Sequence, residues 1–465
     1  MMQLNKDNLN KINAAVDISI PQESEFNLPE KILQFGTGVL LRGLPDYFIC
    51  KANRRNIFNG RIILVKSTNS GDATVFAKQD NLFVHVFKDV QQDKQQETFF
   101  INAAISKVLI AKDEWKKILN CAAQTELQII ISNTTEAGIV LDETDNIHLD
   151  PPKSFPGKLL SFLHKRYTTF NGNIDSGMVI IPTELIVDNA DKLKTVLIEL
   201  AKINQLENDF IEWMITANDF CNSLVDRIVV SNNQTKELEF CNDELSVRSE
   251  RYGLWAIETS SQNTKKMLSF SLANDEIKIT NNIQKFRKLK LSLLNATHSF
   301  LCALALLFHF KFVNESMRDK VFKQFMQQLM LDEILPCVVD DEISKQEAED
   351  FTQTVIKRFS NPYIHHDWLA IATHYPEKIK ERCVPLLLKY QKRFSKLPQK
   401  MILCFAAYFV YTKTDVTKII YDKNFWKEDS HSLPGLIEMV EFYIGKSKMA
   451  NDFSALIEMN ESNLK

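Results

Sequence analysis

Apolar and polar positions follow two different rhythms along this chain, and the change falls near residue 275. Before it, short apolar runs recur between turn residues. Residues 32–35, 61–65, 127–132 and 177–182 form such runs, mostly rich in isoleucine, and predict buried strands of a parallel sheet. Residues 82–87 alternate and predict an exposed strand, with 99–109 as its hairpin partner. A helix opened by Pro156 is expected over 154–167, and another begins after a cap at Asp188 or Asn189. Residues 1–28 are polar and read as an arm or first short helix, and 218–227 as a polar loop ahead of a short strand at 228–230. Beyond 275, helical stretches are expected at 284–312, 316–330, 342–358, 376–393, 398–411 and 433–446. No glycine occurs between 253 and 435, which suits helices and argues against many tight turns.

These patterns predict an α/β protein: a Rossmann-type dinucleotide-binding domain over 1–275 and a mostly α-helical domain over 276–465. A length of 465 residues supports that division, because single cores stop growing well before this size. Net charge is −3, so no global basic field favours nucleic acid or an acidic membrane surface. The run 300–308 is too short to span a bilayer, which takes about 20 apolar residues. The N-terminus, M-M-Q-L-N-K-D-N-L-N-K, shows no apolar signal region, so a cytoplasmic protein is expected. Eight cysteines without a C-x-x-C pair read as reduced core thiols. No metal site is expected, since the adjacent His365 and His366 would not share a helix face.

Two stretches carry candidate chemistry. The first is the turn Phe35-Gly36-Thr37-Gly38 between a predicted strand and helix, the arrangement that sets a pyrophosphate on a helix N-terminus. Leu41 stands where a third fingerprint glycine would fall. The next strand ends in Lys66-Ser67-Thr68-Asn69, and the first carboxylate after it is Asp72. A ribose-binding acid and a phosphate-binding lysine are therefore both open, and so is NAD against NADP. Asn133 and Thr134, at the end of the 127–132 strand, are candidates to line the cofactor crevice.

The second stretch is K-L-K-L-S-L-L-N-A-T-H-S, with Lys290, Asn295 and His298 at the head of an apolar helix. A buried lysine serves as an acid or base near neutrality, and an asparagine amide donates to a developing oxyanion. On an ideal helix the three side chains fall within an arc of roughly 140°, although Lys290 and His298 lie about 12 Å apart along its axis. Lys378 and Arg382, at i and i+4, offer a positive face for an anionic substrate.

Together these residues resemble the mannitol dehydrogenase family of long-chain polyol and uronate dehydrogenases. The likeness runs from about residue 29 to beyond 390. It rests on F-G-T-G-V-L-L-R-G, on N-S-L-V-D-R-I at 222–228, on K-x4-N-x2-H at Lys290, Asn295 and His298, and on R-F-S-N-P with a lysine-bearing helix after it. The segments I-I-P-T-E-L-I (180–186) and L-L-N-A-T-H are similar to one uronate-acting branch, whereas mannitol-type members usually carry a C-D-N segment in place of T-E-L.

The resemblance implies hydride transfer between NAD(H) and a small sugar acid, without a metal, in a cleft between the domains. It implies Lys290 as general acid and base, Asn222 and Asn295 as donors to the substrate oxygen, and His298 as the residue that orients substrate and lysine. Lys378 matches a substrate-facing lysine, and His374 lies near a family histidine with the spacing off by one. Arg287 stands where some members carry a carboxylate, and is read as a partner for the uronate carboxylate. No nucleic acid or membrane partner is expected, and the protein is expected to be a monomer or weak homo-oligomer.

Overall fold

The computed structural model describes residues 2–12, 17–67, 73–91, 94–134, 138–231, 238, 240–413 and 440–441. Asp72 and all but two residues of the helix expected at 433–446 lie outside these. The chain divides into two compact units, Met1–Ile283 and Gln284–Lys465.

Unit 1 is built on a six-stranded sheet: β1 (Glu30–Phe35), β2 (Arg61–Lys66), β3 (Ile105–Ile110), β4 (Ile129–Ser132), β5 (Val179–Pro182) and β6 (Asp219–Phe220). All neighbours are parallel, in the order β3-β2-β1-β4-β5-β6, the order of a dinucleotide-binding sheet. Both faces are covered, which is why these strands appear as continuous apolar runs. Ile32, Ile129, Ile131, Val179 and Ile181 enter one core, while Leu33, Phe35, Ile130 and Ile180 enter the other.

Two smaller sheets complete the unit, and here the structure corrects the sequence reading. Phe83–Phe87 is buried instead of exposed, because Tyr47 of the Pro45–Arg54 helix packs its ring on His85 and Phe87, 5.1 and 4.9 Å away. The expected hairpin partner at 99–109 is two strands. Lys94–Asn102 pairs antiparallel with Phe83–Gln91, and Ile105–Ile110 joins the large sheet. The polar segment 218–227 holds β6 and the strand Ser223–Asp226, which pairs antiparallel with Leu254–Glu258. Its polar groups find partners within the protein: Ser223 Oγ donates to the Pro182 carbonyl, and the Asn189 amide oxygen accepts from the Ser223 N–H at 3.0 Å. Strand pairing continues past 275, since Ile277–Thr280 adds to Leu254–Glu258.

Unit 2 is helical. Its central helix, Gln284–Leu307, has the length and mean hydropathy, 1.4, of a membrane span, yet 72% of that window is buried within the protein. Phe300 to Ala305 are its core-facing heart, packed against the Gln399–Thr412 helix. The helix stops short of 312 because His309 takes a left-handed conformation, φ 63°. All eight cysteines are buried and free.

Candidate active site

The turn after β1 is shaped by close approach. Gly36 has φ +126°, and a Cβ there would come within 2.9 Å of the Asn133 carbonyl, so a side chain is excluded. Asn133 N–H in turn donates to the Phe35 carbonyl at 3.1 Å, tying the ends of β1 and β4. The Phe35 ring itself lies in the core against Phe155, which leaves its backbone at the turn. A Cβ on Gly38 would meet nothing within 4 Å, so the backbone entering Val39–Gly43 borders open space. Thr37 lies between the two glycines, and Lys66 closes β2 as a largely buried residue. Backbone exposed at a turn without side chains, at the carboxyl ends of β1, β2 and β4, fits a dinucleotide.

Asn133 and Thr134 are held in place by residues that the sequence reading did not assign to a site. Asn133 Nδ2 donates to the carbonyl and hydroxyl oxygens of Thr183, at 3.1 and 3.0 Å. The Glu184 carboxylate, only 3% exposed, accepts from Thr134 N–H at 2.8 Å, Thr134 Oγ1 at 3.0 Å and Ser132 Oγ at 3.1 Å. Thr183 and Glu184 therefore act as a clamp between the ends of β4 and β5.

Asn222, expected to face a reacting oxygen, is occupied inside unit 1. Its Oδ1 accepts from the N–H groups of Ala190 and Asp191, and its Nδ2 donates to Asp191 Oδ2 at 2.8 Å and Glu258 Oε2 at 3.1 Å. Both donor hydrogens of the amide are thus used, and the residue caps the Asn189–Ile203 helix from outside. Arg227, five residues on, donates to the carbonyls of Gly43, Tyr252 and Arg251 and lies over the rings of Tyr47 and Phe48. N-S-L-V-D-R-I is to that extent a scaffold motif.

In unit 2, Lys290–Asn295 is a π-helical turn set between the α-helical segments Gln284–Leu289 and Ala296–Leu307. Its i→i+5 bonding is seen at the exit, where Ala296 N–H donates to the Leu291 carbonyl. A turn closed five residues on brings Lys290 and Asn295 toward one face, where a regular helix would hold them about 140° apart. The hydroxyls of Thr297 and Ser299 donate to the carbonyls of Leu293 and Asn295, at 2.8 and 3.0 Å, and take up acceptors of the widened turn. The turn packs against two others of the same kind, Leu329–Ile334 and Ile379–Cys383. Lys290 and Asn295 are half-buried.

His298 is 6% exposed and sits in an aromatic box. Its ring stacks on Phe359 at 4.1 Å and meets His366 and Trp368 edge-on at 4.9 and 5.9 Å. Burial, and then the neighbouring His366, Arg358, Arg382 and Lys378, push its pKa well below the usual value, so the imidazole is neutral. Tyr375 supports the same helix from behind. Its hydroxyl donates to the Ser299 carbonyl at 2.8 Å and accepts from Ala303 N–H at 2.9 Å, bridging a pair that a helix ordinarily bonds directly.

Lys378 donates to the Ile371 carbonyl at 2.9 Å, and burial with Arg382 nearby lowers its pKa. His374 is exposed, with φ 52°, at the head of the Tyr375–Lys378 helical turn, and the histidine that meets His298 is His366. Arg287 Nη1 donates to Gln284 Oε1 at 2.9 Å within the Gln284–Leu289 segment. Phe359, His366 and Trp368 were not assigned to the site from sequence, although R-F-S-N-P marked the segment where Phe359 lies.

Residues 30–269 match the mannitol dehydrogenase Rossmann domain and residues 282–431 the mannitol dehydrogenase C-terminal domain. The altronate oxidoreductase of Bacillus subtilis (strain 168) is 33% identical over 449 residues, covering 90% of this chain and 92% of that relative. The altronate oxidoreductase of Shigella flexneri is 28% identical, with 92% and 95% covered. Among solved structures, mannitol 2-dehydrogenase of Pseudomonas fluorescens aligns with a TM-score of 0.69 at 19% identity, over 99% of this chain and 100% of that one. A D-sorbitol dehydrogenase aligns with a TM-score of 0.77 at 16% identity, over 98% and 99%. Both domain matches and a relative one-third identical lead to one conclusion: the chain belongs to the mannitol dehydrogenase family, and is a dehydrogenase acting on a CH–OH group with a nicotinamide cofactor.

Proposed function

We propose that the protein interconverts D-tagaturonate and D-altronate, reducing the ketone with NADH and oxidising the alcohol with NAD. The observation that carries this is the π-helical turn that runs from Lys290 to Asn295 just ahead of the buried His298, in a chain whose relatives include altronate oxidoreductases.

The bound cofactor supplies the hydride in reduction and accepts it in oxidation. Lys290 donates a proton from its ammonium to the ketone oxygen as the new C–H bond forms, and its amine takes that proton back in the reverse direction. Asn295 donates from its amide to the same oxygen while charge develops there. His298, fixed by Phe359, orients the substrate beside the lysine. Lys378 lends positive charge to the substrate side, and His374 is exposed four residues before it. Asn222 belongs to the scaffold in this scheme, because its amide hydrogens are already engaged. Phe35, Gly36, Thr37 and Gly38 would hold the dinucleotide phosphates through their backbone, with Lys66, Asn133 and Thr134 as further candidates to line the cofactor crevice.

The test is absorbance at the reduced-nicotinamide band, with NADH or NADPH mixed with tagaturonate, fructuronate or fructose. Fast oxidation of NADH with tagaturonate, and little with the others, is the expected result. A preference for fructuronate or fructose would keep the chemistry and change the substrate. Absence of turnover in a folded protein that binds NADH would turn the reading to a nucleotide-binding role without catalysis.

A further inference from the structure

We infer that Arg382, together with Arg358, His366 and Lys378, forms the seat of the substrate's carboxylate on the side of unit 2 that surrounds His298. This rests on the reading of the substrate as a sugar acid.

Four observations carry it. Arg382 belongs to the Ile379–Cys383 turn, which packs directly against the turn holding Lys290 and Asn295. Its guanidinium is half-buried, burial lowers its pKa, and no hydrogen bond to a described residue engages it. The charged neighbours that act on His298 include His366, Arg358, Arg382 and Lys378, all of them cationic when protonated, and Arg358 is 7% exposed. Finally, His298 Nε2 is buried and has no hydrogen-bond partner among the described residues.

Two carboxylates act on the cluster, one on His366 and one on Arg382. Asp367 acts on His366, but its Oδ1 already accepts from Leu369 N–H at 2.7 Å. Glu381 acts on Arg382 from an exposed position on the same turn. Like charges gathered in a partly desolvated site repel one another, and a bound anion relieves that cost. A carboxylate suits the site because its two oxygens match the fork of a guanidinium. A neutral polyol has no charge to offer. Arg287, the other arginine considered for this role, spends a donor on Gln284.

The experiment compares kcat/KM, with NADH, for a keto sugar acid and for the neutral ketose of the same configuration. Arg382→Gln is expected to lower the acid-over-neutral ratio at least tenfold, chiefly through KM for the acid. Arg382→Lys should restore part of the ratio, and His366→Gln, as a second variant, should lower it as well. Melting temperature and NADH binding confirm that each variant is folded. If the wild type prefers the acid but Arg382→Gln and His366→Gln keep its ratio, the seat is overturned and the substrate class stands. The seat is overturned in the same way if Arg287→Gln loses the ratio while Arg382→Gln keeps it. A wild type that prefers the neutral ketose overturns the substrate reading itself.

Discussion

The imidazole of His298 lies flat on the ring of Phe359, with centroids 4.1 Å apart and planes 13° from parallel. The two residues come from different helices, Ala296–Leu307 and Lys345–Phe359, so the orientation of His298 depends on how those helices dock. A neutral imidazole stacked in this way has little freedom to turn about its side-chain bonds.

Phe359→Leu keeps an apolar residue but removes the flat support. We expect kcat to fall about tenfold, with KM for NADH little changed, and stability to drop by roughly 1–2 kcal/mol from the lost ring contact and packing. Steady-state kinetics and a thermal melt measure both. An unchanged kcat at reduced stability would show that the stack matters for packing and not for orientation.

Gly36 and Gly38 should separate folding from cofactor binding. Gly36→Ala must adopt φ near +126° with a methyl 2.9 Å from the Asn133 carbonyl, which strains the turn by about 1–3 kcal/mol. Lower melting temperature and weaker NADH binding are expected together. Gly38→Ala meets no protein atom within 4 Å, so its melting temperature should stay near wild type while NADH affinity falls at least tenfold. Wild-type NADH affinity in Gly38→Ala would move the dinucleotide away from this turn.

Asp46 predicts a pH dependence of stability. Burial raises its carboxyl pKa to about 8, against the opposing pull of Gln34 and Arg42. In the unfolded chain the group titrates near its ordinary value of about 4. Between those limits the folded state keeps a proton that the unfolded state has lost. Stability therefore falls as pH rises through that window, by at most about 1.4 kcal/mol per unit, and levels off above it. Asp46→Asn keeps the shape and should flatten the slope. Urea midpoints of the two proteins from about pH 5 to 8 test this, and parallel slopes would count against a protonated Asp46.

The central strands were readable because a parallel strand covered on both faces needs apolar side chains at every position, as at Ile62 to Val65. The strand Ser223–Asp226 was not, because Ser223 is polar and its bonds to Pro182 and Asn189 are made by residues far along the chain. The buried side of 82–87 depended on Tyr47 in the same way. In the site, the spacing of Lys290, Asn295 and His298 was visible, and the π-helical turn was not. Hydrophobic periodicity records which face is buried but does not report where a helix switches to i→i+5 bonding.

The class of the fold, the dinucleotide turn and the residue types available for moving a proton were all written in local periodicity and spacing, which the linear chain carries unaided. Folding decided which of them meet. It occupied both donors of Asn222 inside unit 1, closed a π-helical turn between Lys290 and Asn295, and brought Arg358, His366 and Arg382 near enough to act on His298. Hydrogen-bond partners, burial and neighbouring charge come from segments brought together only in the folded state, and they determine what each polar side chain is left to do.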